Sequence, residues 1–282
     1  MKRQYPGSLS DKEWLLIEHI FVRPHIKNGG RKNAGRKPKY GARIMLNAIF
    51  YILRSGCAWH LLPHDFPPWQ TVYSQFQRWQ RSGIFIRLHD HVRGSLRTLL
   101  GRAADASAGI IDSQSVKTTE KRGVCGYDGA KKIKGRKRHI AVDTEGFLIE
   151  AKVTNANKSD SHGFKMLIRR KKVRALKKIW ADNAYQGQDN QQKAKEQGID
   201  LEIVKRPSGR MRMYDENWNC IWIPIKRVFS ILPRRWVVER TFAWIGRYRR
   251  MSKDYEFFTR TSESMIYLAM TKTMLTRYLS IT

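Results

Sequence analysis

The chain has 282 residues, 41% hydrophobic and 28% charged, enough for a sizeable core and most naturally for two domains. Its 55 Lys and Arg against 24 Asp and Glu leave a net charge of +31, a surplus best tolerated when a polyanion neutralises it. Nucleic acid is therefore the expected partner. No membrane is expected, because the longest apolar run, 44–53, is too short to span a bilayer and no lipidation motif is present.

The first ten residues lack the apolar stretch of a secretory signal, and Cys57, Cys125 and Cys220 are too widely spaced for a disulfide framework. The expected location is the cytoplasm, beside the nucleoid. Cys57, His60 and His64 have the spacing of zinc ligands, but a fourth ligand is missing nearby, and Pro63, Pro67 and Pro68 suggest a turn instead.

Taken in chain order, Ser10 with Glu13 forms a capping box, followed by Trp14, Ile17, Ile20 and Phe21 at helical spacing. The basic, glycine-rich segment 29–39 reads as an arm. Helices are predicted over 42–54, ending at Gly56, and over 69–81, between the Pro67–Pro68 breaker and Gly83. Helix, short turn, helix is the outline of a helix-turn-helix, so 1–104 is expected to bind DNA, although a helical bundle with no role on DNA shares that outline. Beyond the small residues 103–109, the pattern shortens to strands. They are predicted at 108–112, at 139–143 and 147–153 as a hairpin around Thr144–Glu145–Gly146, at 178–181 and at 201–204. Helices are predicted at 160–169, 188–196 and 233–250, with 206–232 irregular between the last strand and the last helix. This order predicts an α/β fold, a mixed sheet with flanking helices, behind a helical domain; the expected boundaries are 1–104 and 105–282.

Enzymes that break phosphodiesters with two divalent ions need carboxylates converging on one point, and in an open α/β sheet those acids sit at strand ends. Asp112 ends the apolar run Gly109–Ile110–Ile111, and Asp182 ends Lys178–Ile179–Trp180–Ala181 in the same way. On the helix 233–250, Val237, Val238, Thr241, Trp244, Ile245 and Tyr248 gather on one side, with Glu239 opposite beside Arg235, Ala243, Gly246 and Arg250. Taken alone, Glu239 reads as a solvated partner of Arg235; taken with the two strand-end acids, it reads as the third carboxylate.

Three stretches carry a family resemblance. Ser107 to Thr118 with Lys134 to His139, Trp180–Ala181–Asp182 with Tyr185, and Arg235 to Thr241 with its Arg-x-x-x-Glu spacing resemble the three acid regions of DDE transposases. The group is that of small bacterial insertion sequences, in the insertion-sequence-five branch. Ser55–Gly56–Cys57, Trp59 and Leu61–Leu62–Pro63 resemble its N-terminal domain. The resemblance implies a ribonuclease-H-like catalytic domain in which Asp112, Asp182 and Glu239 hold two Mg²⁺ (or Mn²⁺) ions. It implies cutting of double-stranded DNA at terminal inverted repeats and joining of the 3′-OH ends to target DNA, by a homodimer assembled on that DNA. Two departures stand out: Gly246 where the family often has Lys, and Ala184 where it commonly has glycine.

Between Lys117 and Arg138 lie nine Lys and Arg against two acids, so Lys117, Lys134, Arg136, Lys137 and Arg138 are candidate phosphate contacts. Arg36 and Lys37 in the arm resemble a minor-groove hook. Arg235, Arg247 and Arg250 are candidates for gripping the scissile phosphates in place of the missing Lys. Trp218 is a candidate stacking surface for an unpaired base, and Trp222 a candidate core anchor. The rival readings are a nuclease without strand transfer and a non-catalytic DNA-binding regulator.

Overall fold

Four helices come first in the computed structural model, which describes residues 5–21, 38–120, 123–204, 210–214, 220–224 and 235–282. Helix α1 (Asp11–Ile17) starts at the expected capping box. Ser10 Oγ accepts from Glu13 N at 3.2 Å, and the Glu13 carboxylate accepts from Ser10 N at 2.8 Å. Helix α2 (Ala42–Ser55) stops where Gly56 takes φ 74°, the left-handed cap that glycine adopts without strain. A 3-10 turn, Trp59–Leu61, and then the Pro-rich stretch 62–68 lead to α3 (Trp69–Arg81). Helix α4 (Ile84–Leu99) follows Gly83 and buries Leu88, Val92 and Leu96, one per turn.

A six-stranded sheet is built from β1 (Ala108–Lys117), β2 (Gly126–Asp128), β3 (Ile133–Asp143), β4 (Leu148–Asn155), β5 (Lys178–Asp182) and β6 (Asp200–Val204). Its order is β2–β3–β1–β5–β6, with β4 also paired to β3. Strands β1, β5 and β6 run parallel, and β3 runs antiparallel to β1 and β4. Helices α5 (Asp160–Ile168), α6 (Lys171–Arg174) and α7 (Gln188–Glu196) interleave with these strands. This is the mixed, helix-flanked sheet of a ribonuclease-H-like domain.

Strands β1 and β3 both run further than their apolar runs predict. Asp112 is therefore not at the end of its strand. Strand β1 continues through Ser113–Gln114–Ser115, and β3 begins six residues before His139, at Ile133. The polar and basic residues there pair with one another, from Ser113↔His139 to Lys117↔Gly135, and the side chains of Ser113, Ser115, Arg136, Lys137 and Arg138 find partners inside the fold.

The segment expected to be irregular contains a hairpin, β7 (Arg210–Tyr214) against β8 (Cys220–Pro224), with Arg212 opposite Trp222. Trp218 and the side chain of Trp222 lie outside the described residues. Helix α8 (Arg235–Gly246) ends four residues short of its predicted limit, and a 3-10 turn, Arg249–Met251, leads on to α9 (Thr259–Leu279). Nothing in the sequence reading anticipates α9, because it is buried on almost every side from Ser264 to Lys272 and has no polar face to mark a period.

The sheet divides two apolar layers. Ile111, Ala141, Ile179 and Ala181 face α5 and α7. Ile110, Ile140, Val142 and Trp180 face the other way and share one core with α8, α9 and the N-terminal helices. The helical half is thus packed on the sheet half rather than tethered to it. Lys272 of α9 reaches Glu13 of α1 at 2.6 and 2.7 Å, Arg93 of α4 donates to Leu148 O at 3.2 Å, and Gln80 of α3 donates to Ser264 Oγ at 3.1 Å.

Candidate active site

Neighbouring parallel strands carry the first two acids to the same level. Ladder pairing of β1 with β5 runs from Ala108↔Lys178 to Ile111↔Ala181, and the next residue on each strand is Asp112 and Asp182. Side chains alternate along a strand, so Asp112 follows Ile110, and Asp182 follows Trp180, on the face that α8 covers. Backbone N–H groups orient both carboxylates. Asp112 Oδ1 accepts from Ser113 N at 2.7 Å, and Asp182 Oδ1 accepts from Ala184 N at 2.9 Å, capping the 3-10 turn Asn183–Tyr185. The residue that departs from the family's glycine thus still supplies its amide.

A narrow cleft lined by Asp112, Asp182, Val204 and Val238 separates the strand ends from α8. Val237, Val238, Thr241 and Ile245 are buried, while Glu239, Ala243 and Gly246 are exposed. This is the division of the helix that the periodicity predicts, apart from Arg250. Glu239 therefore stands on the solvent side of the helix that roofs the cleft. Among the described residues, no three His, Cys, Asp or Glu side chains are gathered closely enough to hold a metal ion.

A second polar group lies beneath Asp112, and sequence reasoning missed it. Ser113 points to the α5 side, where its Oγ donates to Asp160 Oδ1 at 2.5 Å. Lys137, one-twentieth exposed, places its Nζ 3.3 Å from Asp160 and 3.4 Å from Asp128, and Ser115 Oγ donates to Asp128 at 2.5 Å. Burial alone would raise the Asp128 carboxyl, but the bonds from Ser115, Lys131 N and Lys137 hold it below its ordinary value. Next to this group, burial lowers His139 to about 4 against the pull of Asp160, so the ring is neutral. Tyr185 is fully buried, and burial together with the charges of Asp112, Asp160 and Asp182 pushes its phenol well above the ordinary value. The sequence signal was the alternation of Ser113 and Ser115 opposite His139 and Lys137. Asp160 opens helix α5, whose cap is Ser159, with its Oγ accepting from His162 N at 3.2 Å.

The expected DNA contacts divide. Lys117 and Lys134 are exposed at the far end of the sheet, and Arg247 is exposed just past α8. Four others are not available to phosphate, because they are buried and bonded within the fold. Arg136 donates to Asp254, Ser262 Oγ and the carbonyls of Val124, Glu256 and Phe257. Lys137 is held by its two aspartates. Arg138 donates to Met251 O at 2.9 Å, and although burial lowers it to about 10 it remains a cation near neutral pH. Arg250 lies beyond the end of α8, so helical spacing does not place it beside Glu239. It donates to Glu256 at 2.7 Å and to Cys57 O at 2.9 Å. Arg36, Lys37 and the Arg235 side chain lie outside the described residues.

A ribonuclease-H-like sheet that sets Asp112 and Asp182 side by side on its central parallel strands is the architecture of a transposase-type catalytic domain. A sequence model of the transposase DDE domain matches residues 103–273, and another, for transposases of the IS4/5 family, matches residues 9–89. The chain belongs to the DDE transposase family, of IS4/5 type. It is similar to an uncharacterised 16.2 kDa protein of insertion element IS402 from Burkholderia cepacia, 31% identical over 39% of this chain and 72% of that protein. It is also similar to the uncharacterised protein y4sN of Sinorhizobium fredii, 28% identical over 45% of this chain and 86% of that one. Among the described residues no helix is long and apolar enough to cross a membrane.

Proposed function

We propose that this transposase binds double-stranded DNA at the terminal inverted repeats of an insertion sequence, cuts at the element ends and joins the freed 3′-OH ends to target DNA. The observation that carries the reading is the register that sets Asp112 beside Asp182, facing the helix of Glu239. The donor set is carboxylate oxygen throughout, which fits a hard divalent ion such as Mg²⁺ or Mn²⁺. A pair of such ions would activate the attacking oxygen and stabilise the leaving one. Asp112 and Asp182 would form the fixed side of the site. Glu239 would complete it by turning its long side chain over the edge of α8 when DNA and metal are present.

The chain's own cations have separate tasks in this reading. Exposed Lys117, Lys134 and Arg247 would position phosphates, and the arm with Arg36 and Lys37 would enter the minor groove. The protein would act from the cytoplasm on the nucleoid, as a homodimer assembled on the two ends. The test is incubation of the full-length protein with Mg²⁺ and DNA carrying the element's own ends. Cleavage at the ends followed by joined products is expected. Binding without cleavage would favour a DNA-binding regulator, and cleavage without joining a nuclease.

A further inference from the structure

The buried Arg136 leaves its motif without a DNA contact, and what it does instead defines a second surface. Its guanidinium fixes the segment between α8 and α9: Nη1 donates to Asp254 at 3.0 Å and to Glu256 O at 2.7 Å, and Nη2 donates to Phe257 O at 2.6 Å. Asp254 N donates to Lys117 O at 2.8 Å and Thr119 N to Asp254 O at 3.3 Å, so the segment is also stitched to the end of β1. What this scaffold holds outward is apolar. Phe257 is 60% exposed and Phe258 52%, with ring centres 5.0 Å apart in an edge-to-face pair. Arg260 lies 5.0 Å from the Phe258 ring. Lys253 and Arg260 are exposed on the same segment, and Lys117 is exposed at the strand end bonded to it.

Two exposed phenylalanines on a clamped segment, with Arg260 against one ring and exposed lysines on the same segment and on the strand end bonded to it, match the pattern of single-stranded nucleic acid sites. There, aromatic faces take bases and the cations take the backbone. The location fits as well. Asp112, Gln114 and Val116 lie on one face of β1, and Arg136 pairs with Val116 on that face. The end of β1 is five residues beyond Asp112, roughly 17 Å at the rise of a strand, or about five base steps of DNA.

We propose that Phe257 and Phe258 form a stacking platform for unpaired DNA bases about five base pairs from the phosphate at the acids, on a segment that Arg136 positions. The proposal rests on the DNA-cutting function above.

The test compares full-length wild type with Phe257→Ala/Phe258→Ala in EDTA, so that no cutting intervenes. The probes are a paired duplex and the same duplex with a short unpaired bubble. Wild type is expected to bind the bubble roughly ten-fold more tightly, the range of one stacked base. The variant should lose that preference, bind the paired duplex within about two-fold of wild type, and melt at an unchanged temperature, since both rings are exposed. A wild type that binds both probes equally, or a variant that keeps the preference, overturns the platform and leaves the transposase reading standing. A wild type that binds neither probe sinks the function beneath it. Loss of self-association in the variant with the bubble preference intact would make the patch an interface between copies and also overturn the proposal.

Discussion

Replacing Arg136 with Met keeps much of the side chain's length and apolar volume but removes a fully buried cation. Asp254, itself 2% exposed, then loses its counter-charge at 3.0 Å, and the carbonyls of Val124, Glu256 and Phe257 lose their donor. Breaking one side of a buried pair costs about 3–5 kcal/mol, mostly from the charge left behind. Chemical denaturation should show this as a lower midpoint at unchanged slope. Arg136→Met/Asp254→Asn should recover part of the loss, because the amide leaves no orphan charge while Glu256 N and Ser262 Oγ still have an acceptor. A loss below about 1 kcal/mol, with weakened DNA binding and a shallower salt dependence, would instead mean that the guanidinium contacts phosphate.

Acid should destabilise the fold through His89 and His139, both lowered by burial to about 4 from 6.5. Below pH 6.5 the unfolded chain takes up protons that the folded one refuses. Stability is therefore lost as pH falls from 6.5 towards 4, by up to about 3 kcal/mol per histidine. Asp143 and Glu256, raised by burial, act in the opposite sense. The effect is thus read as the difference in melting temperature between pH 7.5 and 5 for wild type and His139→Gln; equal slopes would contradict it. Gly163→Ala puts a methyl where an ideal Cβ would lie 2.0 Å from His139 Nδ1. Helix α5 must then lift off β3, at a cost of about 1–3 kcal/mol in denaturant, and His139→Ala should restore most of it; an unchanged midpoint would refute that contact.

Where local physics decided the structure, the sequence was legible. The capping box at Ser10, the cap at Gly56, the strands leading to Asp112 and Asp182 and the buried stripe of α8 all follow from short-range patterns. What was not legible depends on tertiary partners. Arg136, Lys137 and Arg138 read as phosphate contacts, because burial of three adjacent cations depends on Asp254, Asp128, Asp160 and carbonyls distant in sequence. Helix α9 has no amphipathic period because protein surrounds it. Strand β7 could have been found: Arg210, Met211, Arg212 and Met213 alternate with period two, a signal that the basic and aromatic composition of the segment obscured.

The central claim is that Asp112 and Asp182 work as a pair, with Glu239 as the third member. Its most direct measurement is the single-turnover cleavage rate of end-containing DNA in Mg²⁺ for Asp112→Asn, Asp182→Asn and Glu239→Gln, with DNA affinity measured alongside. Each amide keeps the shape of its side chain and removes the charge a divalent ion needs, so cleavage should fall by at least about 10³-fold while affinity stays within a few-fold. A variant of any of the three acids that cuts near the wild-type rate would contradict the account.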